Sequence, residues 1–115
     1  MHADSPLKKV FATANGVVYK CSCCDSFQVS LGNALLATHA DGIKRLLAVI
    51  DGMGASGDAG RSDRRYTFRP DDRPYAYAFN YDELQELKQL LEGAQAMQAL
   101  KAMVEATTGV PNTIC

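Results

Sequence analysis

Phe27-Gln28-Val29-Ser30-Leu31-Gly32-Asn33-Ala34-Leu35-Leu36-Ala37-Thr38-His39-Ala40-Asp41-Gly42-Ile43-Lys44-Arg45-Leu46-Leu47-Ala48-Val49-Ile50 holds two hydrophobic periods in one stretch. Phe27 to Leu31 alternates apolar and polar residues, as a half-buried strand does. Gly32-Asn33 supplies turn chemistry, and Ala34 to Thr38 completes a hairpin. The period then changes. Ile43, Leu46, Leu47 and Ile50 recur at i, i+3, i+4 and i+7, one face of a helix. Thr38 with Asp41 resembles a helix N-cap and its acidic partner, and Asp51-Gly52 marks the end.

The same switch returns downstream. Tyr66-Thr67-Phe68-Arg69 alternates, Pro70 to Pro74 reads as a turn, and Tyr75 to Phe79 alternates again with Tyr75, Tyr77 and Phe79 on one face. Asn80-Tyr81-Asp82-Glu83 is a capping box, with Asn at the cap and Glu three residues on. Leu84, Leu87, Leu91, Ala94 and Gln98 follow on one helical stripe, widened by Leu90, Met97 and Leu100. Gly93 predicts a break, with a last helix from Ala94 to Ala106. Ala34–Leu46 and Tyr75–Leu87 echo each other as strand, cap and helix. Upstream, residues 1 to 9 read as a polar arm. Val10–Thr13 and Val17–Cys21 flank Ala14-Asn15-Gly16, whose Asn-Gly pair signals a tight hairpin.

These patterns predict an α+β fold of repeated β-hairpin plus helix units, with an antiparallel sheet and helices near 39–51 and 81–106 packed on one face. The length of 115 residues predicts a single domain spanning 1–115. Four glycines between Gly52 and Gly60 predict a flexible linker at 52–64. That stretch is not a phosphate loop: it lacks the Gly-Lys-Ser/Thr ending, and no strand directly precedes it.

Composition narrows the partners. The formal net charge is -1, from 12 basic and 13 acidic residues, so nucleic acid is not an expected partner. No segment has the roughly 20 apolar residues of a membrane span, and Met1–Pro6 lacks a signal peptide's basic and apolar regions. A cytoplasmic chain is expected, with its cysteines as thiols or ligands rather than a disulfide framework. Open sheet edges and the broad apolar stripe from Asp82 onward predict a homodimer.

Unusual chemistry concentrates in Tyr19-Lys20-Cys21-Ser22-Cys23-Cys24-Asp25. Three readings stay open. Cysteine packs readily as a small hydrophobe. Cys21 and Cys24 form one zinc knuckle, which His39 with Cys23 or Cys115, or a second subunit, would have to complete. A Cys-x-x-Cys redox pair is the third, although a strand rather than a helix follows it, and Asp25 opposes thiolate formation. His39 is also the one plausible base for cysteine hydrolase chemistry, and otherwise a polar residue at the first helix cap. No Asp-x-Asp-x-Asp-Gly calcium loop or Gly-x-Gly-x-x-Gly dinucleotide motif occurs. The candidate metal ligands are therefore Cys21, Cys24 and His39, and zinc is the metal if one binds; with no second knuckle visible, no cofactor is expected.

Gly16-Val17-Val18-Tyr19-Lys20-Cys21-Ser22-Cys23-Cys24, Phe27 to Leu36, and Phe79-Asn80-Tyr81-Asp82-Glu83-Leu84-Gln85-Glu86-Leu87-Lys88 resemble a small uncharacterised protein family found mainly in Bacteroidota. Its members combine an early Cys-x-x-Cys, a strand-Gly-Asn-strand and a late helix opening in Asp/Glu-Glu-Leu. The resemblance spans about residues 16 to 92 and implies a cytosolic single-domain protein with the Cys21/Cys24 pair. It implies no activity. Cys23 and the glycine-rich insertion depart from the pattern. With no complete catalytic or cofactor set in the residues, the expected role is a non-enzymatic domain acting by protein or small-ligand binding. A zinc-binding domain and a thiol-dependent redox enzyme are the alternatives.

Overall fold

The computed structural model describes residues 7–21, 26–53, 66–69 and 76–108. Four strands come first: β1 (Leu7–Ala12), β2 (Gly16–Cys21), β3 (Ser26–Leu31) and β4 (Ala34–His39). They pair in chain order as an antiparallel meander. Helix α1 (Ala40–Met53), the short strands β5 (Tyr66–Phe68) and β6 (Tyr77–Phe79), and helix α2 (Tyr81–Thr108) follow. The expected α+β architecture is present, with the helices packed against an antiparallel sheet.

Register explains which face is buried. Val18 pairs with Val29, which pairs with Leu36, while Phe27 pairs with Thr38 and Leu31 with Ala34. Directly paired residues share a face, and alternate residues along a strand take opposite faces. Val18, Phe27, Val29, Leu31 and Leu36 thus form one apolar surface, and all are buried. The helices cover it with Ile43, Leu46 and Ile50 of α1 and Leu84, Leu87, Leu90, Leu91 and Ala94 of α2.

The turns follow the sequence signals. Around Asn15, Thr13 N–H donates to Gly16 O at 2.9 Å, and Gly32 N–H donates to Asn15 O at 3.0 Å, tying two turns together. Gly32 has φ 57°, a conformation glycine adopts at little cost. At α2, Asn80 N–H donates to Glu83 Oε1 at 2.9 Å, and Glu83 N–H donates to Asn80 Oδ1 at 2.8 Å. The predicted capping box forms in both directions.

Four expectations are revised. Among the described residues the strands make two sheets rather than one, because β5 and β6 pair there with each other and not with β1–β4. Their rings pack instead: Phe68 lies 5.8 Å from Phe79, and Tyr66 lies 6.3 Å from Tyr81, between ring centroids. Tyr77 and Phe79 share a face as expected; Tyr75 lies outside the described residues. Strand β1 begins at Leu7, inside the expected arm, because Leu7 to Lys9 pair with Cys21 to Tyr19. Helix α1 continues through Gly52 to Met53, so these two residues do not belong to a linker; residues 54–65 lie outside the described residues. Helix α2 runs unbroken through Gly93, which packs against Phe11: a methyl group there would lie 2.3 to 2.5 Å from ring atoms.

Helix α2 also outruns its sheet. Its 28 residues span about 42 Å, whereas a six-residue strand spans about 20 Å. Leu84, Leu87, Leu90, Leu91 and Ala94 of its first half are buried, and Met97, Leu100, Met103 and Val104 in the second half are exposed. No helix among the described residues is long and apolar enough to cross a membrane.

Candidate functional site

Where α2 leaves the sheet, a cavity of about 290 Å³ opens between it and β1–β2. Its floor is apolar: Phe27 and Ala94 are almost fully buried, and Val10 is half-buried. Lys8, Lys9, Lys20 and Lys101 surround that floor, and Met97 stands exposed beside them. Cys21 and Gln98 complete the described lining, which contains no carboxylate.

Register places these lysines. Lys8 pairs directly with Lys20, and Lys20 pairs with Phe27, so the three occupy one cross-strand row on the face that α2 covers. Like charges directly opposite each other destabilise a sheet. Strand β1 carries a bulge between Lys9 and Phe11. A bulge interrupts strict alternation, so Lys8 ahead of it and Phe11 after it fall on the same face of the sheet, with Val10 as the extra residue between them. The Lys20 ammonium lies 5.7 Å from the centre of the Phe27 ring and donates to Cys21 O at 3.3 Å. Its charge is thereby held over the apolar floor.

The opposite end of the same helix–hairpin contact is clamped by Glu86. Its Oε2 accepts hydrogen bonds from Thr13 Oγ1 and from Asn15 N–H at 2.7 Å, and its Oε1 accepts from Asn15 Nδ2 at 3.0 Å. Desolvation raises the Glu86 pKa, but the bonds from Thr13 and Asn15 outweigh it and leave the carboxyl below its ordinary value. A depressed carboxyl stabilises the fold above its unfolded pKa, and that contribution is lost as pH falls through the folded value. Glu86→Ala is therefore expected to cost about 1 kcal/mol at pH 7, with the difference from the unaltered chain shrinking as pH falls through the depressed folded value. Urea titrations across pH check this.

The sequence-predicted metal residues are only partly placed. Cys21 ends β2 as a half-buried free thiol, and His39 ends β4, exposed, paired with Ser26. Both stand at the same end of the sheet with β3 between them, so their backbones are roughly 10 Å apart at the usual strand spacing. Cys23, Cys24 and Cys115 lie outside the described residues. Among the described residues, no group of three or more His, Cys, Asp or Glu side chains is placed to hold a metal ion.

A wider cleft of about 630 Å³ runs between the β3–β4 turn and β6. Its one charged lining residue among those described is Glu83, which the capping box engages, and the Tyr77 hydroxyl donates to Leu35 O there. The lysine-lined cavity is the better site because charge and apolar surface converge in it. Its lysines escaped sequence reading. The alternation Val18–Lys20 hints at an inward lysine, but pairing with Lys8 depends on a register set by the bulge. No protein-family model, curated protein or solved structure matches the chain.

Proposed function

We propose that the chain is a cytoplasmic small-ligand-binding domain, acting by binding rather than catalysis, whose ligand occupies the cavity between β1–β2 and α2. The observation that carries this reading is the lysine-lined cavity with its apolar floor of Val10, Phe27 and Ala94. Ligand sites are concave and mostly apolar, with a few polar groups that fix orientation; about 290 Å³ stands at the small end of their range. The walls are firm. Helix α2 is anchored on the sheet by buried leucines, and Glu86 clamps it to the β1–β2 turn.

Met97 offers a test that assumes nothing about ligand chemistry. It is 40% exposed and lines the cavity, so Met97→Trp should obstruct the site while changing stability by no more than about 0.5 kcal/mol. In a thermal-shift screen of charged and neutral small molecules, compounds that raise the melting temperature of the unaltered chain should lose that effect in Met97→Trp. Hits that stabilise both proteins equally would place binding elsewhere and refute this reading.

A further inference from the structure

Resting on the cavity reading above, we infer that its ligand is a small amphiphilic anion: one anionic head held by Lys8, Lys20 and Lys101, and an apolar body laid on Phe27, Ala94 and Met97.

Three observations converge on this class. First, the local charge is not a by-product of composition. The chain's net charge is -1, yet four lysines and no carboxylate appear among the described residues lining one cavity. Such a concentration of one sign draws in the opposite ion. Second, Lys8 faces Lys20 across the strands on the helix-covered side of the sheet. Two lysines at directly opposed strand positions offer one anion a pair of cationic partners from neighbouring strands. Third, the surface beneath the charges is apolar, and Met97 brings a flexible, polarisable side chain that adapts to varied ligand shapes.

The same geometry disfavours a polyphosphate. The cavity meets α2 at Ala94 to Lys101, in the helix interior, so the N–H groups of its N-terminus are not aimed at the site. Lysine ammonium groups act as point charges and do not impose the planar two-pronged match that arginine does. A single carboxylate or phosphate head satisfies them.

Titration calorimetry on the full chain with decanoate, decyl phosphate, decanol and decyltrimethylammonium tests this, each kept below its aggregation concentration at low salt. Decanoate and decyl phosphate are expected to bind one per chain, and their ratio identifies the preferred head. Decanol should bind at least about tenfold more weakly, and the cation more weakly still. Lys8→Gln/Lys20→Gln should weaken decanoate by on the order of tenfold, whereas Lys8→Arg/Lys20→Arg retains binding. If the double glutamine variant fails to fold, exposed Lys8→Gln alone should weaken decanoate by about threefold. Decanol or the cation binding as tightly as decanoate, with binding abolished by Met97→Trp, would overturn the anionic head and leave the cavity reading intact. Decanoate binding indifferent to Met97→Trp would overturn both. Failure of all four compounds to bind would overturn the inference.

Discussion

Leu90→Ala is expected to lower the free energy of unfolding by about 3 to 5 kcal/mol, the upper part of the range for truncating a buried leucine. Leu90 is fully buried where α2 crosses β2. Its Cδ1 occupies space that Gly16 leaves open: a methyl group at Gly16 would lie 2.5 Å from that atom and 2.7 Å from the Ser30 carbonyl oxygen. Because residue 16 has no side chain, Gly16 has nothing to move into the void, which keeps part of the cavity cost in place. The matched control is Leu100→Ala on the same helix, half-exposed, with an expected effect within about 0.5 kcal/mol. Urea unfolding of both variants should show a shifted midpoint for Leu90→Ala and an unchanged slope. Similar midpoints for the two would mean that α2 does not pack on the sheet through its first half.

Gly93→Ala is expected to destabilise the protein by about 1 to 3 kcal/mol, against the direction that helix propensity alone dictates. In an exposed helix interior, replacing glycine by alanine gains about 1 kcal/mol. Here the added methyl would meet Cγ, Cδ2 and Cε2 of Phe11 at 2.3 to 2.5 Å. The crowded atoms include the base of the ring, so a change at its tip alone gives no relief; either Phe11 or the helix must move. That movement would separate α2 from β1 next to the cavity, so the variant should also bind decanoate less tightly. Stability and affinity measured on one preparation check the two effects together. A gain in stability would show that Gly93 is not a contact point between helix and strand.

What could be read in advance, and what could not, has a physical pattern. Asn15-Gly16, Gly32-Asn33 and the Asn80/Glu83 box are local devices whose partners lie a few residues away, and each forms where the residues predict it. The alternation from Phe27 to Leu31 identified the buried face for the same reason. Gly93 misled because its intrinsic preference against helix is small beside the close approach to Phe11, which lies far away in sequence. The lysine site was hidden for a related reason. Lys8, Lys20 and Lys101 come from two strands and a distant helix, and they become one feature only after strand register, bulge and helix placement are known. The cysteine run stood out through chemical type, but type alone does not place a ligand set. Of its three cysteines, Cys21 falls within the described residues, as a free thiol at the edge of the lysine cavity.

The most direct test is a two-dimensional NMR titration of the isotopically labelled chain with decanoate. Saturable shifts centred on Val10, Lys20, Phe27, Ala94, Met97 and Gln98, absent in Lys8→Gln/Lys20→Gln, are the predicted result. Shifts centred instead on Gly32, Leu35 and Ala78 in the other cleft, or on Leu100, Met103 and Val104 along the exposed end of α2, would contradict it.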